Sequence, residues 1–405
     1  MKILWVTPYF MYPLHFGRNI RSFKILENLN AVHDITLVSF TREQDKKYFD
    51  VMKTVARRFV PVDFEEQAKD SIGFYLDVLK NMFFSLPYVI EKYRSAAMRS
   101  VIDDLVKQEK FDLLVCDTLA PCINIESNTG VPKIVFQHNV ESMIWQRMYK
   151  KTADPVKRLI FFLQYIKLEK YEKKTLQGYN SSFAVSNEDG EFFKKEYMVK
   201  DVRIIPTGVD TQYFHRSEEG PESETLIFVG SMNWLPNIDG MSFFIKEVLP
   251  LIKEKCPSVK LYIVGHAPKK ELYNLAQAHK EIVVTGTVDD VREYMKKASV
   301  YIVPLRVGGG TRIKIYEAMS MGKAVVATSI GAEGLPVTHN ENIIIADDKQ
   351  QIADAVAELI KDPQLRERIG TQARNYVEAN CGWDKIAKIF SDQCEAVVRQ
   401  EKQQQ

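Results

Sequence analysis

The stretch that decides the fold is PLRVGGGTRIKIYEAM, residues 304–319. It follows the apolar run Val300–Val303, which predicts a buried strand, and its three consecutive glycines lead into a helical pattern. Glycine permits backbone conformations and close approaches that other residues resist. A buried strand that passes through such a turn into a helix is typical of α/β proteins with parallel sheets.

The same alternation of short apolar runs and helical patterns extends in both directions from this stretch. Helices are predicted over Ile20–Leu29, Ala96–Lys107 and Pro155–Leu176. Strands are predicted over Ile3–Val6, Ile35–Ser39, Leu113–Cys116, Ile134–Phe136, Phe183–Val185, Arg203–Ile205, Leu226–Val229, Leu261–Val264, Ile282–Val284, Val300–Val303, Ala324–Ala327 and Ile343–Ile345. These strands are almost entirely apolar, as expected when helices cover both faces of a sheet.

A chain of 405 residues suits two domains better than one core. The polar segment from His215 to Glu222 is predicted to be an exposed linker between two α/β halves. We therefore predict domains over residues 1–210 and 211–383, with a ligand cleft at the carboxyl ends of their strands.

Composition narrows the function classes. A net charge of +2 disfavours a nucleic-acid partner. The five cysteines are scattered without a Cys-x-x-Cys pair, which favours a reducing cytoplasm. The opening apolar run stops at Pro8, too early for a signal peptide, and Leu159–Leu163 is far shorter than the roughly 20 residues of a membrane span. Because the chain has no Asp-x-Asp triplet and no His/Asp cluster, we expect no metal.

The glycine-rich stretch predicts phosphate binding. A helix that starts after Gly308, Gly309 and Gly310 offers N–H groups and a positive dipole to a diphosphate, and Arg312 adds a fork of donors. Glu317 lies four residues, about one turn, after Ile313, so the two share a helix face. Its carboxylate could accept hydrogen bonds from a ribose diol while the phosphates lie at the start of the helix. The alternative is a glycine-rich turn followed by a surface Lys314–Glu317 pair. Neither a Walker motif nor Gly-x-Gly-x-x-Gly occurs, so nucleotide-triphosphatase and dehydrogenase functions are disfavoured.

Residues 304–328 resemble the donor-site signature of the family 4 retaining glycosyltransferases (glycosyl transferases group 1), which have the GT-B fold. Other segments resemble the family in the same order along nearly the whole chain. They are residues 8–26, 137–142, 185–189, 205–210, 228–232, 283–291 and the helix predicted from Trp383. The resemblance implies that residues 384–405 cross back to complete the first domain, which binds the acceptor, while the second domain binds the nucleotide sugar.

The resemblance further implies an α/β fold with two Rossmann-like parallel-sheet domains facing a cleft. It implies a retaining transfer from a UDP-, GDP- or dTDP-sugar, with UDP as the first expectation and no cofactor, to a glycan or lipid-linked acceptor. Glu317 would bind the ribose, and Arg312 would bind the diphosphate together with the backbone of Thr311 and Ile313. Val288 would contact the base, and Gly17 and His138 would lie near the phosphates and the sugar.

The sequence departs from the family pattern at two places. Gly309 stands where the family has the first glutamate of its Glu-x7-Glu pair, and the segment containing Ser231 and Asn233 replaces the usual Arg and Lys. Arg312 therefore becomes the main expected counter-charge, and the expected contacts to the donor sugar come from the backbone, His138 or Asn233. The expected catalytic residues are His138, Arg312 and Glu317. The expected substrate-binding residues are Gly17, Arg18, Arg21, Glu141, Ser231, Asn233, Val288, Gly308, Gly309, Gly310, Thr311, Ile313, Lys314 and Glu333.

Several of these assignments have a purely structural alternative. Glu141 is either a helix-start carboxylate or an acceptor ligand, and Glu333 is either a turn residue or a donor contact. Gly17 is either a loop glycine or a ligand contact, and Arg21 is either a solvated arginine on a helix or a ligand contact.

Two stretches, Gly73–Tyr93 and Lys157–Lys174, mix aromatic and basic residues and predict either core helices or contact with the inner face of a membrane. For the chain as a whole, the rival functions are a sugar-nucleotide epimerase of the same architecture and a non-catalytic nucleotide-sugar binder.

Overall fold

The computed structural model describes residues 1–14, 16–65, 72–218, 220–308 and 312–404. The chain divides into two compact units. Unit 1 comprises Met1–Pro206 and Asp384–Gln405, and unit 2 comprises Thr207–Trp383. The predicted division placed the first boundary after residue 210, whereas the compact units divide after Pro206.

Unit 1 is built on a parallel sheet whose strands β1 to β7 run in the order β3-β2-β1-β4-β5-β6-β7. Their bounds are Lys2–Thr7, Asp34–Thr41, Arg58–Asp63, Leu113–Asp117, Lys133–Phe136, Ser181–Ala184 and Val202–Ile204. The central strands are buried along their whole length, since helices lie on both faces.

Unit 2 repeats the design with strands β8 to β13 in the order β10-β9-β8-β11-β12-β13. Their bounds are Thr225–Val229, Lys260–Val264, Ile282–Gly286, Val300–Val303, Ala324–Ala327 and Ile344–Ile345. Every pairing between these strands is parallel. The predicted α/β class with two Rossmann-like parallel sheets is therefore confirmed.

Helices α1 to α16 connect and cover the strands. Their bounds are Gly17–Leu29, Phe49–Met52, Ile72–Asn81, Tyr88–Glu91, Ala96–Gln108, Glu141–Lys151, Pro155–Gln177, Asn187–Lys195, Leu235–Phe243, Leu249–Lys255, Lys270–Gln277, Arg292–Lys297, Ile313–Ser320, Lys349–Lys361, Pro363–Asn380 and Trp383–Gln404. The long helix α7 shows how local sequence sets a helix start: Asp154 caps the N–H groups of Val156 and Lys157, and Pro155 occupies the first turn.

The last helix, α16, belongs to unit 1, as the resemblance implied. Phe390 is fully buried, and its ring packs 5.2–5.4 Å from the rings of Trp5, Phe136 and Phe183 on three strands of the sheet. Arg203 on β7 donates to the backbone carbonyl and side chain of Gln393. Unit 1 is therefore built from both ends of the chain.

Each predicted strand overlaps an observed one, and one observed strand, β3, was not predicted. β3 lies at the edge of the sheet, is half exposed and contains Pro61. Only an edge strand tolerates a proline, and its mixed polarity hides it from an apolar pattern.

The predicted linker around residues 215–222 is exposed in part but lies inside unit 2. Arg216 forms an ion pair with Glu367, and Glu222 donates its N–H to the carbonyl of Lys297. These bonds attach the segment to unit 2, so the boundary between the compact units lies before it, after Pro206. In the described ranges, no helix has both the length and the apolar character needed to cross a membrane.

Candidate functional site

Each sheet reverses its strand order at one point: between β1 and β4 in unit 1, and between β8 and β11 in unit 2. Ligands of open parallel sheets bind at such switch points, beyond the carboxyl ends of the strands. Most predicted site residues follow these strands or their neighbours, so each unit carries its own part of the predicted residues.

The part in unit 1 centres on His138, which follows β5 and is 5% exposed. Its Nδ1 lies 2.8 Å from Nη1 of Arg21, and its Nε2 lies 2.7 Å from Oδ1 of Asp117. Ser22 Oγ is 3.4 Å from the same Nε2. Trp5 donates its indole N–H to the other oxygen of Asp117. His138 is thus held on both ring nitrogens by buried partners.

These contacts determine the protonation of the ring. A guanidinium only donates, so Nδ1 accepts from Arg21 and Nε2 carries the proton donated to Asp117. Burial lowers the pKa of His138, against the opposing effect of Asp117. Burial also lowers the pKa of Arg21 to about 10, which leaves it charged at neutral pH. His138 is therefore a neutral imidazole with a fixed orientation, and both of its ring nitrogens are hydrogen-bonded to other side chains of unit 1.

The remaining predicted residues of unit 1 lie in the first turns of α1 and α6. Gly17 is the first residue of α1, and the exposed Arg18 stacks 4.4 Å from the ring centroid of Tyr9. Glu141 is the first residue of α6, where burial raises the pKa of its carboxyl and the charge of Arg18 opposes this shift. Arg18 also lowers the pKa of His138, so these side chains share one electrostatic environment.

The part in unit 2 is formed where β11 leads into α13. Gly308 has φ of 120°, which favours glycine, and a Cβ there would lie 2.7 Å from Nη2 of Arg312. Arg312 occupies the N-cap position of α13. Gly309, Gly310 and Thr311 lie outside the described residues.

Lys314 reaches from α13 to the end of β8. Its Nζ donates to Oδ1 of Asn237 over 3.2 Å and lies 4.2 Å from the ring centroid of Phe228. Gly230 makes this possible, because a Cβ at that position would come 2.4 Å from the ammonium. A cation is thereby held at the switch point, beside the segment that lacks the Arg and Lys of the family pattern.

Glu317 and Lys314 both have strongly shifted pKa values. Burial lowers the pKa of Lys314 to about 7, and the nearby charge of Arg312 adds to the effect. Burial raises the pKa of Glu317 to about 7, opposed by the charge of Lys314. Strongly shifted groups in one place are a mark of functional sites, although structural ion pairs also produce them.

The other predicted residues of unit 2 come after the carboxyl ends of its strands or in the first turn of α13. Ser231 donates to Asn233 across 2.9 Å just after β8, and Asn237 donates to the carbonyl of Ser231. Glu333 follows β12, whereas Val288 follows β10, which β9 separates from β8. Ile313 is buried in the first turn of α13.

Sequence reasoning did not select Asp117, Asn237 or Gly230 as site residues. Asp117 could have been found, because it is an acid that directly ends an apolar strand. Asn237 and Gly230 act through contacts with Lys314 that only the fold creates. Among the described residues, no cluster of three or more His, Cys, Asp or Glu is arranged to hold a metal ion.

Residues 223–362, within unit 2, match the family model described as "Glycosyl transferases group 1". An uncharacterized 44.6 kDa protein in the cps region of Klebsiella pneumoniae is 22% identical over 96% of this chain and 99% of its own length. A GDP-mannose-dependent alpha-(1-6)-phosphatidylinositol monomannoside mannosyltransferase of Mycobacterium tuberculosis is 31% identical over 36% of this chain and 41% of its own length.

Among solved structures, Anabaena HepE in complex with UDP superposes with a TM-score of 0.72 at 14% identity, over 98% of this chain and 100% of that one. The class that the fold defines is therefore the GT-B fold, with two Rossmann-like units. The family match in unit 2 and the names of the relatives support glycosyl transfer as the activity.

Proposed function

We propose that the protein is a retaining glycosyltransferase of family 4, of hexosyltransferase type, in a subgroup with a Gly-Gly-Gly-Thr-Arg loop. It transfers a sugar from a nucleotide diphosphate to a hydroxyl of a glycan or lipid-linked acceptor in cell-surface polysaccharide or glycolipid biosynthesis. The observation that carries the proposal is the position of Lys314, whose ammonium is held at the switch point of unit 2 by Asn237 and the space above Gly230.

In this proposal unit 2 binds the donor. A diphosphate brings about two negative charges, which are costly to bury without counter-charges. Arg312 at the start of α13 and Lys314, two residues further on, provide these charges, and the positive end of the helix dipole adds to them. Glu317 accepts hydrogen bonds from the ribose, and the segment around Val288 contacts the base.

Unit 1 binds the acceptor in this proposal. His138 acts as an oriented neutral group, because Arg21 and Asp117 occupy its ring nitrogens. The exposed Arg18 and the part-buried Glu141, whose charges act on each other, are candidates for substrate contacts. A phosphate oxygen of the leaving nucleotide assists deprotonation of the acceptor, and the protein groups orient and stabilise charge.

The experiment that tests the function is a panel of UDP-, GDP- and dTDP-sugars, measured by thermal shift and then by hydrolysis. We expect stabilisation by one nucleotide, UDP first, together with slow release of its sugar. If none of the nucleotides raises the melting temperature, the phosphate site is wrong and the function with it.

The proposed reaction needs no metal ion and no cofactor. We expect the same hydrolysis rate in excess chelator as in its absence. Abolition of turnover by the chelator, with recovery on adding a divalent cation, would contradict this part of the proposal.

We also propose that unit 1 contacts the inner face of the membrane, and that the protein is otherwise cytoplasmic. Exposed apolar side chains form an apolar patch on α3, the turn that follows it, and α7: Leu79, Phe83, Phe84, Val156, Leu159, Phe162 and Ile166. Lys167 bonds the carbonyls of Asn81 and Met82, which joins the two parts, and the exposed Lys157 and Arg158 lie among them. Apolar and basic groups together suit an anionic lipid surface.

Sedimentation with phosphatidylglycerol vesicles at low salt tests the apolar patch. Binding should weaken in a Phe83→Ser, Leu159→Ser variant and persist in Val32→Ser, which removes another exposed apolar side chain elsewhere in unit 1. If the wild type, the double variant and Val32→Ser sediment with the vesicles to the same extent, the apolar patch does not bind the membrane and this part of the proposal is wrong.

A non-catalytic nucleotide-sugar binder is the second candidate, favoured by Gly309 standing in place of the first family glutamate. Turnover separates the two, since a binder gives a thermal shift without sugar release. A sugar-nucleotide epimerase would instead convert the donor sugar without an acceptor.

A further inference from the structure

Glu172, in the last third of α7, is a fully buried acid that the proposed chemistry does not use. Its Oε1 accepts from the side-chain amide of Gln137 over 3.2 Å and from the N–H of Glu141 over 2.9 Å. Its Oε2 accepts from the N–H of Ser142 over 3.1 Å and from the hydroxyl of Tyr197 over 2.9 Å. Four donors from three parts of unit 1 therefore converge on one carboxylate.

The pattern of donors requires an acceptor at this position. An ionised carboxylate offers about four lone-pair sites and no proton, which matches four converging donors. A helix start also favours a negative charge, and α6 begins after Val140, which has no side-chain oxygen to cap it. Glu172 supplies from α7 the cap that the sequence before α6 lacks.

The capped segment is the one that presents His138. Gln137 and Glu141 flank it, and the N–H of Gln137 is further held by the carbonyl of Phe183 on β6. On its other side the imidazole is bound by Arg21 and Asp117. The segment 137–142 is thus clamped between the sheet, α1 and α7, with Glu172 as its charged anchor.

We propose that Glu172 is a positioning residue: its carboxylate fixes the segment 137–142 and through it the orientation of His138 in the candidate site. The consequence for catalysis rests on the proposed glycosyl transfer, whereas the consequence for His138 does not.

The charged and titratable groups that face Glu172 are Glu141 on α6 and Tyr197 between α8 and β7. Burial raises the pKa of Glu172 to about 7, and the neighbouring Glu141 adds to the rise, while the bond from Ser142 opposes it. Protonation would turn one oxygen into a donor directed at other donors. The anchor therefore weakens as pH falls below about 7.

The test compares Glu172→Gln with Glu169→Gln, a control one turn earlier on α7 whose carboxylate bonds Tyr165 rather than segment 137–142. In protein labelled with 15N-histidine, the His138 signals are assigned by their loss in His138→Gln. We expect Glu172→Gln to shift these signals and the control to leave them unchanged. A folded Glu172→Gln with unaltered His138 signals would overturn the proposal, even if the protein has no transferase activity.

Kinetics provide the second measurement. Glu172→Gln should lower kcat for donor hydrolysis on the order of tenfold to hundredfold, as expected for a misplaced active-site group, and leave the Kd of UDP unchanged. We expect the wild type to lose kcat as pH falls below about 7, and Glu172→Gln should abolish this pH dependence. An unchanged pH profile and kcat would contradict the catalytic consequence, whereas a wild type without any turnover would refute the proposed function instead.

If Glu172→Gln does not fold, Tyr197→Phe takes its place. This variant removes one of the four donors while its ring stays packed against Phe192 and Phe193. It should shift the His138 signals in the same direction by a smaller amount, and unchanged signals would count against the anchor.

Discussion

Arg21 donates a hydrogen bond from Nη1 to Nδ1 of His138 across 2.8 Å. Because a guanidinium cannot accept, the proton of the imidazole must sit on Nε2, 2.7 Å from Asp117. A second proton on Nδ1 would face the charged arginine directly. The side chain that sequence reasoning assigned to the catalytic set is thus an internal, neutral group in this arrangement.

We therefore expect His138 to remain an Nε2–H tautomer through neutral pH. Its pKa is lowered by burial, so the unfolded chain takes up a proton before the folded one as pH falls below about 6.5. His138 then contributes stability above this pH that is lost as pH falls. 15N NMR of the ring measures both points. A titration of His138 with midpoint above that of a free histidine would contradict the tautomer.

Gly230→Ala tests whether Lys314 needs the space at the end of β8. The new Cβ would lie 2.4 Å from Nζ of Lys314, so the ammonium must leave its place. We expect UDP affinity to fall about tenfold, equivalent to about 1.4 kcal/mol. Gly220→Ala is the matched control, because a Cβ there meets nothing within 4 Å. Calorimetric titration of both variants with UDP decides the outcome, and equal affinities would exclude Lys314 from the phosphate site.

Lys314→Met tests the charge itself. Since burial lowers the pKa of Lys314 to about 7, wild-type affinity for UDP should decline as pH rises above this value, and the variant should show weak binding without this decline. The same shift affects the free energy of unfolding of unit 2. Between about pH 7 and 10.5 the unfolded lysine holds its proton while the folded one has lost it, so this free energy rises with pH over that range. UDP titrations between about pH 6.5 and 9 give the answer, and parallel pH profiles would rule the lysine out.

Arg312→Ala tests the main counter-charge. Loss of a charged group that stabilises the leaving diphosphate should lower kcat on the order of 100- to 1,000-fold. Arg368→Ala is the control, because this exposed arginine of unit 2 bonds only a backbone carbonyl among the contacts described. Sugar release from the donor is the readout, and a rate loss shared by both variants would point to general destabilisation.

Phe390→Ala tests the contribution of α16 to unit 1. The ring is fully buried against Trp5, Phe136 and Phe183, so its removal leaves a cavity that costs about 3–5 kcal/mol of unfolding free energy. Lys388→Ala, an exposed change on the same helix, should cost little. Urea unfolding of both variants measures the difference. Equal midpoints would mean that unit 1 does not depend on the last helix.

The fold was predictable because its signal is local. Runs such as Val300–Val303 and Ala324–Ala327 are apolar throughout, since strands buried on both faces must be, and each predicted strand was found. The exception, β3, is half exposed at the sheet edge and carries no such signal.

The candidate site was predictable only in part. Arg312, Lys314 and Glu317 stand together in the sequence, and the helix that carries them keeps them together. Glu172 gave no signal, because it is one acid in a long charged helix and its partners lie 25 to 35 residues away along the chain.

The sequence alone determined the class of fold, the alternation of strands and helices, and the glycine-rich start of α13, because these depend on patterns within about 20 residues. Only the tertiary structure decided what the polar side chains do. It placed Asp117 and Arg21 on either side of His138, and Lys314 above Gly230. Such pairs join residues far apart in the chain, and their protonation depends on burial, which no local pattern contains.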